Sequence, residues 1–332
     1  MRSLVAKRVL VTVGFIVGWI AVNPSFSAGA PSLATVAAQD GAVVLPTPAP
    51  LPAGTPPAGA PLNVAAATGI VADLVVQVGG PRVAVQSILP PNADPHDFEP
   101  APEDLVAVAA AEIIFRHGLD LDNWSDQMIE NAGSDRPVVV VSEGIPTIAS
   151  DEEEFSQGDP HIWFDPTRTA MMVATIEAAL TEIDPEGAGT YQARAAAYTA
   201  DLTALDQAIQ AAMNAIPAER RKVVTNHDAL AYYGERYGLT IVGTVIPGLD
   251  TAAEPSARET GALIDLMQEE GVAVILAENT TSPDLAAELA SQAGATIVDD
   301  LYTDSLGDPG SGADTYLGLM RTDTALIVDA LA

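Results

Sequence analysis

The chain has 332 residues, no cysteine and a formal net charge of −31, which excludes disulfides, thiolate metal sites, a thiol nucleophile and a lipid-carrying cysteine. The first 62 residues are net positive, so the acidity belongs to the remainder, and nucleic acid and anionic membranes are poor partners for such a surface. The length allows two domains of ordinary size.

Met1–Arg8 carries three positive charges, Val9–Val22 is an uncharged run, and Ala28-Gly29-Ala30 has the small-residue spacing of a cleavage site. Residues 1–30 therefore read as an export signal, with an uncleaved anchor as the alternative. The uncharged run is shorter than the ~20 residues of a membrane span. Residues 31–62, rich in Ala, Pro, Thr and Gly, read as a semi-rigid disordered linker.

From Asn63 onward, strands and helices alternate. Val64–Ala67 is a short apolar strand, and Thr68 caps a helix that closes at Gly79-Gly80. A strand over Val83–Leu89 precedes the loop that holds His96. Pro102 opens a helix with Glu103 and Asp104 in its first turn, where the helix dipole favours acids. Ile113–Arg116 and Val138–Ser142 are further strands, and Thr167–Leu180 is a helix. Tyr191–Ile216 is a long Ala-rich helix of about 39 Å, enough to cross between lobes. The rhythm then repeats, with strands over Val223–Asn226, Thr240–Ile246, Val272–Ala277 and Thr296–Val298. Helices follow Asp228, the capping box of Ser256 and Glu259, and Ser282-Pro283. An acidic, Gly-rich loop over Asp299–Thr315 leads to a closing helix, Tyr316–Leu331. This order predicts an α/β fold of two doubly wound lobes with parallel sheets. The boundaries are 63–183 for the first lobe, 184–217 for the interlobe helix and 218–332 for the second lobe.

The chain has four histidines, and three of them, His96, His161 and His227, lie 65 and 66 residues apart on loops at or near strand ends. Ligands of doubly wound sheets bind beyond the carboxyl ends of strands. Three imidazoles brought to one such place suit a transition metal such as zinc, which takes a fourth N or O donor. Asp299, Asp300, Asp304 and Asp308 offer that donor, with Glu278 as a rival. His117 reads as structural or as a support for a ligand. No G-x-S-x-G elbow, phosphate loop or H-E-x-x-H helix is present.

Four segments carry a family resemblance: Asn63–Asp104, Asp159–Pro166 (DPHIWFDP), Thr225–Leu239 (TNHDALAYYGERYGL), and Thr303–Gly307 with Tyr316 downstream. In this order they resemble the zinc- or manganese-binding solute-binding proteins of metal ABC importers, the TroA-like family. The resemblance implies two α/β lobes joined by one long helix, with the metal held in the cleft between them. Carried over by position, His96 and His161 are the first-lobe ligands, and His227 and Asp304 the second-lobe ligands. It also implies an extracytoplasmic protein, not an enzyme, that delivers its cargo to an ABC permease in the cytoplasmic membrane. We expect a monomer with no nucleic-acid partner and no catalytic cofactor, carrying bound Zn²⁺ or Mn²⁺ as transported ligand, with zinc favoured by ligand type. Two departures stand out. Many members carry a His-rich loop before the second signature, whereas Asp151–Asp159 here is acidic, lacks His and reads as a mobile solvated loop. Many also carry an acylated cysteine, absent here. The alternatives are an exported zinc-dependent hydrolase with an open metal position, and an acidic metal-buffering or adhesin protein without a transport role.

Overall fold

Two runs of short apolar strands build two separate sheets in the computed structural model, which describes residues 45–133 and 136–332. The first run comprises β1 (Leu62–Ala66), α1 (Gly69–Gly79), β2 (Val83–Ser87), α2 (Pro102–Ala110), β3 (Ile113–Arg116), α3 (Trp124–Asn131) and β4 (Val138–Val140). Then come α4 (Pro166–Ile183) and the long α5 (Ala188–Asn214). The second run is β5 (Lys222–Thr225), α6 (Ala231–Tyr237), β6 (Thr240–Thr244), α7 (Ala257–Glu270), β7 (Val274–Glu278), α8 (Asp284–Ala293), β8 (Thr296–Leu301) and α9 (Tyr316–Leu331). The export signal expected over residues 1–30 lies outside the described residues.

Both sheets are wholly parallel, in the orders β2-β1-β3-β4 and β6-β5-β7-β8. The central strands β3 and β7 are buried along their whole length, as continuous apolar runs covered on both faces should be. In each sheet the order reverses at the first strand of the run, which opens a crevice at the carboxyl ends. Local chemistry sets the helix ends. The Thr68 side chain accepts from Val71 N, and Ser256 and Glu259 cap each other reciprocally. Gly238, Gly271 and Gly294 close α6, α7 and α8 in the left-handed conformation.

Helix α5 has 27 residues, about 40 Å, and packs on α1 and α4 in the first lobe and on α6 and α9 in the second. Helix α9 is a second bridge. Its first amide, Tyr316 N, donates to Asp73 Oδ2 on α1 at 2.9 Å, while Asp323 and Thr324 further along meet Tyr302 and Tyr233 of the second lobe. One hydrophobic core runs through both lobes, from Leu74 and Phe115 through Tyr191 and Tyr198 to Tyr233 and Ile327.

Three expectations need correction. Residues 45–61, part of the expected disordered linker, form an ordered strap on the first lobe. Leu45 is buried in the core, Arg194 donates to Pro52 O (2.6 Å) and Arg82 to Thr55 O (3.2 Å). Proline-rich chain has few partners of its own, but its free carbonyls suit guanidinium donors. The acidic loop 151–159 is not a free solvated excursion, because Phe155 is buried and Glu152 is hydrogen-bonded. Strand β8 continues to Leu301, so Asp299 and Asp300 lie on it exposed rather than in the following loop. Helix α3 was not anticipated. No helix among the described residues is long and apolar enough to cross a membrane.

Candidate metal centre

Asp-Pro-His occurs twice, at 94–96 and 159–161, and both copies fold alike. The Asp Oδ1 accepts the His backbone N–H at 2.8 Å in each. Proline has no N–H to compete and its ring fixes the turn. The first copy follows β2 and the second precedes a short 3₁₀ turn, Ile162–Phe164, that leads into α4. His227 stands just past the end of β5, and Asp304 three residues past β8.

The structure brings His96, His161, His227 and Asp304 together, with one donor atom from each within 4.8 Å of the others. His161 Nε2 lies 3.2 Å from His227 Nε2 and 3.2 Å from Asp304 Oδ1, and His227 Nε2 lies 3.4 Å from Asp304 Oδ2. His161 is 0% exposed, His227 1% and Asp304 1%, while His96 is half-buried. His96 Nε2 and both Asp304 oxygens are enclosed without a hydrogen-bond partner. Buried polar atoms are ordinarily satisfied. Three such atoms within one group of donor residues have the chemistry to take a cation.

Carboxylates behind the site hold two of the imidazoles. Asp159 Oδ1 meets His161 Nδ1 at 2.8 Å, and Glu278 meets His227 Nδ1 at 2.8–2.9 Å. Each pairing turns the Nε2 lone pair into the site, as carboxylate partners of metal-bound histidines do. Glu278 lies outside the group of four donors, and its oxygens are engaged elsewhere: Asn226 donates to its Oε1 (2.8 Å) and Thr303 to its Oε2 (2.6 Å). His117 is a support too, its Nε2 2.8 Å from Pro160 O and its ring edge-on to Trp163. Trp163 Nε1 donates to Thr303 O across the cleft, which sets the segment of Asp304 against the first lobe. Asp308 is exposed and stands apart.

These neighbours shift the protonation of the donors. Burial lowers His161, but Asp159 and Asp304 outweigh it and raise it to about 10. Burial likewise lowers His227, and Glu278 and Asp304 more than reverse this. His96 has no carboxylate on its ring; burial dominates and takes it down to about 3. Burial works to raise Asp304, yet the three imidazoles hold it below the usual carboxylate range.

Asp159, Asp94 and the Glu278 support were not singled out as supports from sequence, although the repeated Asp-Pro-His was a readable signal for the first two.

Comparison with known proteins places the whole chain. Against the manganese-binding lipoprotein MntA of Halalkalibacterium halodurans the chain is 34% identical over 280 residues, covering 84% of this chain and 91% of that one. Against the iron-binding protein YfeA of Yersinia pestis it is 30% identical over 264 residues, 79% of this chain and 83% of that one. The solved structure of the periplasmic zinc-binding protein TroA from Treponema pallidum superposes with a TM-score of 0.76 at 29% identity, covering 82% of this chain and all of TroA. The family described as zinc-uptake complex component A, periplasmic, matches residues 64–330, and the chain belongs to it.

Proposed function

We propose that the protein captures a divalent first-row metal ion outside the cytoplasm and hands it to an ABC permease, with zinc preferred over manganese. The observation that carries this is the convergence of three imidazole nitrogens and one carboxylate, with His96 Nε2 and both Asp304 oxygens enclosed and unpartnered. The family consists of binding components of metal uptake, so the chain is a binding protein and not an enzyme. The hydrolase reading would need an open position for water, whereas Asp304 supplies the fourth donor. All four donors come from one chain, which suits a monomer. Some relatives are named lipoproteins, but this sequence has no cysteine to carry a lipid.

Three nitrogens and one oxygen favour zinc by ligand type, and intrinsic affinity points the same way. Manganese is the second reading. Both Asp304 oxygens face inward, and a bidentate carboxylate would raise the coordination number.

The test is metal analysis of protein from its native compartment, with zinc and manganese calorimetry on wild type and His161→Ala. The variant should lose more zinc affinity than the ~10–100-fold typical of removing a supporting residue. Unchanged affinity would sink the assignment of the site. Native protein loaded with manganese alone would overturn the zinc preference.

A further inference from the structure

The loop between β6 and α7 is gripped from two sides by first-lobe carboxylates. From one side Glu152 Oε1 accepts Leu249 N at 2.9 Å. From the other, Asp94 Oδ2 accepts the Thr251 hydroxyl at 2.6 Å, while the same Asp94 holds His96 N through its Oδ1. Glu152 belongs to loop 148–159, whose neck is pinned by Tyr232 of the second lobe. The Tyr232 hydroxyl accepts from Ile148 N (3.0 Å) and donates to Asp159 O (2.7 Å), and Asp159 N closes the neck on Ile148 O. Phe155, the one aromatic of this loop, is 2% exposed and sits edge-on to the His96 ring at 5.9 Å.

Gly248 fits this grip. Its φ is +98°, and a Cβ there would lie 2.9 Å from Glu152 Oε1. Only glycine lets the backbone turn this way with the carboxylate so near. Gly248 O in turn accepts Asp228 N, which ties the clasped loop to the segment of His227.

Taken together, we propose that loop 148–159 and Asp94 form a clasp that retains the captured ion: Glu152 and Asp94 lock residues 248–251 against the turn that carries His96, and Phe155 seals that imidazole from water. This rests on the metal-capture reading and assigns it a release gate. Glu152, Thr251 and Phe155 touch no donor atom of the ion; they are positioning residues that act through the closed loop. The lobes share a core and two bridging helices, so opening this clasp is a smaller movement than parting the lobes.

The test is zinc release into excess chelator by stopped flow, with Co²⁺ absorption spectra as the report on coordination. Glu152→Ala and Thr251→Val should each speed release about tenfold, the scale of one lost charge-assisted hydrogen bond. The Co²⁺ spectrum should stay as in wild type. Thr251→Ser keeps the hydroxyl and Glu152→Gln keeps an acceptor, so both should release slowly. Release at the wild-type rate in Glu152→Ala and Thr251→Val would overturn the clasp. So would fast release in Thr251→Ser, or a changed Co²⁺ spectrum, which would mean that these residues shape the coordination itself. Failure of wild type to bind zinc or cobalt at all would instead refute the metal-capture reading.

Discussion

At His161 and His227 of the proposed site a proton and a metal ion would compete for the same lone pair. Both groups are raised above their ordinary value of 6.5 in the metal-free protein, His161 to about 10. Metal uptake at pH 7 should therefore expel protons, on the order of one to two per ion. Calorimetry in buffers of different protonation enthalpy checks this; zero release would contradict the assigned supports. The signs for stability run in opposite directions with and without metal. A raised imidazole stabilises the metal-free fold fully below about 6.5 and loses that contribution as pH rises through about 10. Metal affinity grows over the same window. The gap in melting temperature between metal-loaded and chelator-treated protein should accordingly widen from pH 6.5 toward pH 10. Residue chemistry alone found the three histidines because they are rare and sit on loops around the sheets. It could not separate Asp304 from Glu278, since both are acids near the ends of neighbouring strands. The difference lies in who else holds them: Glu278 receives Asn226 and Thr303, from 52 and 25 residues away.

At the level of elements, the alternating strands and helices were readable because each apolar run is short and bounded by turn or cap residues. The strap over residues 45–61 was not readable. Its composition offers little to bury beyond Leu45 and Leu51, and what orders the rest is side chains from α5 and the turn after α1. Arg194 gives one hydrogen bond to Pro52 O and another to Gln77 O (2.9 Å), and the Thr190 hydroxyl receives Thr55 N (3.1 Å). Arg194→Ala should lower the unfolding free energy by about 1–3 kcal/mol, the cost of leaving buried polar groups unpaired. Denaturant unfolding measures it, and limited proteolysis should show new cuts between residues 45 and 61. A strap that stays protected in the variant would show that Arg194 does not hold it. The same kind of long-range contact hid the bridging role of α9, because Asp73 and Tyr316 N are 243 residues apart.

For the whole molecule, charge is the dominant variable. A net charge of −31 opposes compaction through self-repulsion, and salt screens it over about 10 Å at 0.1 M. The melting temperature of the chelator-treated protein should rise with sodium chloride from low salt upward, as read by scanning calorimetry. A flat response would mean that the acidic residues are too far apart to matter to the fold. The two-lobe plan was legible because the β-α rhythm repeats on either side of one long uninterrupted helix. The continuity of the core was not, since Tyr191, Tyr198 and Tyr233 read individually as ordinary helix residues.

The two Asp-Pro-His turns have unequal second contacts. In one, the aspartate also steadies the imidazole ring; in the other, it reaches across to Thr251 and leaves the His96 ring unsupported. In the proposed site His96 would therefore be the least supported of the four donors and the first to give way, and the vacated position would be open to an incoming donor while His161, His227 and Asp304 still held the ion.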